Sequence, residues 1–318
     1  MNKLDYKFTP EQCDVPESRR KALIVYRTFR SQCLEYLNGD SDISISRQIH
    51  NLGWYTAVFR TINEARRIEG HDRVNSAHWD LTSAGYASLI TVGIRRLVDY
   101  HSGTSSLRWL IGKLQKNSHH LTREMFVCHD GLPFDYAATE RRLLDLPPDQ
   151  RTKVRWGSME GPDAYNASGF AHRSFDALSS TPDHSWRLEK VDSQILDWLL
   201  KQLSHPAITK VHDMVDKIVA HSERIPRGSK TVEIATYNDV DEALKRIVQV
   251  ATFVSKFFHS GFGDVVPTPQ FNVLEYLDEP WATSSSLDAL QDEWDKLTTN
   301  MNSWSNEELI YSQEVVGN

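Results

Sequence analysis

Between Asp213 and Glu223 the chain reads DMVDKIVAHSE. Taken as helix, this stretch sets Lys217 and His221 on one face, because residues four apart are neighbours there. A histidine beside a cation is suited to general acid–base work: the positive charge favours the neutral imidazole, which can accept and return a proton. Cleavage of RNA by its own 2′-hydroxyl uses such a pair. The base removes the hydroxyl proton, the cation steadies the phosphorane, and no metal is needed. The same residues also fit a plainer arrangement. His221 can close the helix against its own last carbonyls and dipole, with Asp216 and Lys217 forming a solvated charged face.

Other chemistry-bearing residues give weaker patterns. His212 and Asp216 are four apart and His221 lies five further on. That last step turns the third side chain away from the first two, which argues against a metal site. His119-His120 and His129-Asp130 lack a partner motif and read as surface loop. Basic residues cluster at Arg60, Arg66 and Arg67, at Arg95 and Arg96, and from Arg151 to Arg155, where phosphate contact is conceivable. Glu64, Glu69 and Asp99 lie among the first two groups, so these read as helix faces laced with ion pairs. No GxxxxGK[ST], GxSxG or HExxH occurs, and nothing in the sequence calls for a cofactor or a metal.

The elements that must hold these residues are helices. Leu23, Tyr26, Phe29, Cys33 and Leu37 recur at three- and four-residue steps over 18–37, and Ile45, Ile49, Leu52, Tyr55, Phe59 and Ile62 do so over 42–68. Leu81, Ala84, Leu89, Val92, Leu97 and Val98 predict a third helix over 78–100, and Leu107 to Leu114 a short fourth capped by Thr104 or Ser106. The stretch 125–187 is different. Pro133, Pro147, Pro148, Pro162 and Pro182 punctuate it, and only 138–144 has helical character. Periodicity returns over 188–203, 208–223 and 240–259, the last with Asn238 or Asp239 as N-cap, and again over 287–298. The expected organisation is a polar arm over 1–17, an all-α domain over 18–265 with an irregular insertion at 125–187, and a C-terminal extension with one helix over 266–318.

Composition bounds the partners. The 318 residues carry a formal net charge of −7, so any nucleic-acid contact must come from a local patch. Cys13, Cys33 and Cys128 are odd in number and widely spaced, which fits a reducing compartment and no disulfide framework. The N-terminus is polar, and no run approaches the roughly 18 apolar residues of a membrane span. The expectation is a cytoplasmic protein without a membrane partner.

Asp216, Lys217, Ala220 and His221 resemble the motif Arg-Asn/Asp-Lys-x-x-Ala-His of the HEPN superfamily, in its U-type abortive-infection branch. The segments from His78 to Ile111 and from Asn238 to Phe258 also look like core and closing helices of that family, so the resemblance covers roughly 42–258 outside the insertion. It implies a HEPN-like helical bundle, a homodimer, and a role in phage defence or a toxin–antitoxin system with an antitoxin or other defence partner. It further implies a metal-independent endoribonuclease with His221 as base or acid, Lys217 as phosphate stabiliser, Asp216 as orienter, and Arg224 and Arg227 on the RNA. The chain departs from the pattern at the arginine: Val215 stands there, or Asp216 if the count is five steps before His221. Lys217 or Arg224 must then supply the cation, and lysine is a poor equivalent at a bidentate phosphate site. The alternative is a non-catalytic HEPN-like protein that binds RNA, a nucleotide or a partner protein.

Overall fold

The computed structural model of the chain describes residues 6–70, 75–101, 103–147, 150, 158–181, 186–216, 233–266, 268–277, 279 and 284–303. Among them the fold class is all-α, with eleven α-helices and one isolated antiparallel bridge between Thr122 and Lys190. The chain falls into two compact units, Met1–Pro267 and Thr268–Asn318.

The first unit is organised by three long helices, α1 (Arg20–Asn38), α2 (Ile45–Glu69) and α3 (Ser76–Leu97). The apolar stripe of α1 is buried as its spacing predicts, through Leu23, Tyr26, Phe29, Cys33 and Leu37. On α3 the inward stripe is Tyr86, Ile90, Ile94 and Leu97, whereas Leu81 and Leu89 face outward. Both stripes on α3 have helical period, and α2 selects between them. Phe59 stacks on Tyr86 with ring centroids 3.9 Å apart, and Gly93 lies so close to Leu52 that an added Cβ would overlap its methyls.

Two further helices complete the layer. The helix α9 (Pro206–Met214) packs against α3 and against α10 (Tyr237–Lys256), which also touches α2, α4 (Leu107–Lys116) and α8 (Ser193–Gln202). The buried face of α10 includes Val240, Leu244, Ile247, Ala251 and Val254. Burial of each of the valine, leucine and isoleucine side chains contributes roughly 1.5–3 kcal/mol. The N-cap of α10 is Thr236, two or three residues earlier than the sequence suggests, because Thr236 and Asp239 form a reciprocal capping box. Ser106 caps α4 as expected, accepting from the Trp109 amide at 3.1 Å.

The segment expected to be irregular contains the expected short helix, α6 (Tyr136–Leu144), together with α5 (Arg123–Cys128) at its start and α7 (Tyr165–Asp176). Its buried side chains include Met125, Phe126, Val127, Leu143 and Phe175, while Ala167 and Ala171 on α7 are small residues whose period is hard to see in sequence. Residues 6–16 lie against the body rather than projecting from it: Cys13 and Val15 are buried, and the Phe8 amide donates to Asp130 Oδ1 at 3.1 Å. The three cysteines are free and buried.

The second unit contains α11 (Leu287–Ser303), on which Leu287, Leu290, Trp294 and Leu297 are exposed. No helix among the described residues is long and apolar enough to cross a membrane.

Candidate functional site

The helix α9 leads directly to the motif. Pro206 occupies its first turn, and His205 caps it by accepting from the Ala207 amide at 3.3 Å. Ala207, Ile208, Val211 and Met214 face inward, and the backbone widens to π-helical pairing at Val215 and Asp216. Val215 is 2% exposed. Val215 is thus core, and no extended cation could occupy its position without displacing packed neighbours.

Asp216 points the other way. Its Oδ1 accepts from Arg95 Nε of α3 at 2.8 Å, and its Oδ2 lies 3.4 Å from Nδ1 of His212, one turn earlier on α9. Arg95 also donates to Asp99 through Nη1 at 3.0 Å. The Asp216 hydrogen bond raises the Arg95 pKa above its usual value, with the Asp216 and Asp99 charges adding to it against partial desolvation. A guanidinium therefore sits at the start of the motif, although the motif itself carries none. Sequence reasoning placed Arg95 on a helix face laced with ion pairs, and the Asp99 contact agrees with that. It missed the Asp216 contact because the partners are 121 residues apart. Lys217, His221, Arg224 and Arg227 lie outside the described residues.

The arginines of the α2 cluster are engaged. Arg60 pairs with Asp241 at 2.9 Å and covers the Tyr237 ring, Arg67 pairs with Glu64, and Arg66 lies over Trp79. Residues 151–155 lie outside the described set. His129 is not on a surface loop: its Nδ1 is 2.8 Å from the Phe126 carbonyl, and the Tyr6 and Tyr26 rings meet it edge-on. Desolvation, with help from Arg30, pushes its pKa down to about 3, so it is neutral at physiological pH.

No protein-family model, curated protein or solved structure matches this chain.

A second charged cluster lies where residues 121–191 meet the N-terminal segment. Arg123, with no exposed surface, donates through Nε to Glu189 Oε2 at 2.6 Å, and its Nη2 lies 2.6 Å from Asp176 Oδ1. The Asp176 contact is one of charge, since the two atoms are not aligned for a hydrogen bond. Glu124, equally buried, accepts from Arg19 at 2.8 Å and from Arg187 at 2.7 Å, and Arg187 reaches on to Asp14. His172 holds Nε2 2.8 Å from the Phe134 carbonyl, and burial lowers its pKa. These groups pair mainly with one another, so the cluster is a fastening between α5, α7 and the chain around Arg187.

Proposed function

We propose that the chain is a HEPN-like protein of a phage-defence or toxin–antitoxin type system that cuts RNA without a metal, as a homodimer. The observation that supports this reading is the 2.8 Å ion pair between Arg95 and Asp216. It brings a planar, permanently charged fork to the first residue of the Asp216-Lys217-x-x-Ala220-His221 pattern, where Val215 cannot supply one. Its charge can steady a phosphorane, while His221 moves the 2′-hydroxyl proton and Lys217 adds a point charge. The widened backbone at Val215 and Asp216 is a further support, since such turns occur often at functional sites.

A second reading is favoured by the burial of Val215. A residue that packs in the core contributes to stability and not to phosphate contact, which suits a protein that binds RNA or a partner without cutting.

Incubation of total RNA with purified protein in EDTA separates the two. The first reading expects cleavage by wild type and none by His221→Ala. Retention of RNA in a gel shift with no cleavage by either protein replaces it with the second. Cleavage that persists in His221→Ala removes His221 from the chemistry.

A further inference from the structure

A recess of about 510 Å³ opens between α7 and the C-terminal end of α10. Phe170, Arg173 and Ser174 line it from α7, and Lys256, His259 and Ser260 from the end of α10. No carboxylate lines it, on a chain whose net charge is −7. The nearest acidic residue on α7, Asp176, is engaged with Arg123.

The recess is held ready by its surroundings. Arg173 lies over the Phe170 ring at 4.5 Å, so the ring holds the guanidinium face and leaves its donor-bearing edges for an in-plane partner. Lys256 is steadied in the same way over Phe253, at 4.9 Å. The end of a helix normally repels anions, because its last carbonyls are unpaired. Here they are covered: the Ser260 amide bonds Ser255 O at 3.2 Å, the His259 amide bonds Lys256 O at 3.1 Å, and Arg30 Nη2 donates to Phe258 O at 2.6 Å. This is a Schellman-type close, in which the left-handed residue is usually glycine. His259 fills that role at φ 51°, a conformation that non-glycine residues seldom adopt. The turn thereby places an imidazole at the recess, with its ring edge-on to Phe126. Desolvation and Arg30 lower its pKa, so at neutral pH it serves as a hydrogen-bonding group rather than a third charge.

We propose that this recess binds a small organic phosphate monoester, with its phosphoryl oxygens held by Arg173 and Lys256 and with His259 as an additional polar contact. A bare phosphate would leave most of the volume empty, whereas small-ligand sites commonly measure roughly 300–1,000 Å³. The site stands independently of the reading of His221.

Isothermal titration calorimetry of the full chain with AMP, adenosine and inorganic phosphate tests it. AMP binds the wild type, adenosine does not, and inorganic phosphate binds more weakly than AMP. Arg173→Gln and Lys256→Gln each weaken AMP at least tenfold, and His221→Ala leaves it unchanged. Both substituted side chains are exposed, and circular dichroism verifies that each variant is folded. Absence of AMP binding, equal binding of adenosine, equal or tighter binding of phosphate, or AMP affinity untouched in both variants overturns the proposal. Loss in His221→Ala alone moves the ligand to the motif helix and overturns it equally.

Discussion

The chain contains two clusters built from the same groups, arginine against carboxylate, and they differ in exposure. At the first cluster the central charges, Arg123, Glu124 and Glu189, are buried, and their half-exposed partners tie α5, α7, the N-terminal segment and residues 187–189 together. Around Arg95 and Asp216 the side chains are 31% and 37% exposed. Removing one partner from a buried set strands a charge in a poor solvent, whereas a half-exposed pair exchanges its partner for water at little cost. The first arrangement secures one conformation of the fold. The second keeps a cation accessible at the motif and adds little to stability.

The largest expected effect is at the buried cluster. Arg123→Ala leaves Glu189 without its main partner and lowers the free energy of unfolding by about 3–5 kcal/mol, read from urea denaturation at neutral pH. A loss below about 1 kcal/mol breaks the comparison, because it makes the buried cluster behave like a surface pair. Next is a pH effect in the same region. His129 titrates near 6.5 when unfolded and near 3 when folded, so the unfolded chain takes up the proton first. The contribution is complete above about pH 6.5 and is lost as pH falls toward 3. Urea midpoints at pH 7 and pH 5 should therefore differ, and His129→Gln should narrow the difference; equal narrowing by His212→Gln would assign the effect elsewhere.

The capping box of α10 gives an intermediate mark. Thr236→Ala leaves the Asp239 amide without its cap and costs about 1 kcal/mol in a thermal or urea transition. Asp216→Asn is the smallest. It weakens half-exposed contacts with Arg95 and His212 and shifts stability by less than about 1 kcal/mol. A shift as large as that of Arg123→Ala would show that the motif is fastened as tightly as the core.

What the sequence revealed follows the same division. Helices with large apolar residues on one face, such as α1 and α10, are legible because their period is set by their own burial. For α3 the period was legible but the face was not, since two stripes compete and only the contacts with Phe59 and Leu52 on α2 decide between them. The helix α7 was hidden because Ala167 and Ala171 pack by being small. The expected start of α8 near Leu188 fails because Glu189 and Val191 bond across to Arg123 and Leu121 in extended form. At the motif, Asp216 was legible as a polar residue beside a histidine-bearing stretch, but its partner Arg95 was not, because no local pattern joins α3 to the end of α9. The cationic recess was equally hidden, since Arg173 and Lys256 lie on separate helices and meet only through the fold.

We propose that Arg95 serves the chemistry of the Asp216–His221 stretch rather than the fold. Arg95→Gln tests it most directly when EDTA-resistant RNA cleavage and urea stability are measured on the same preparation. The expected result is cleavage reduced at least a hundredfold, with unfolding free energy changed by no more than about 1 kcal/mol. Undiminished cleavage, or a loss of activity that only tracks a loss of folded protein, would contradict it.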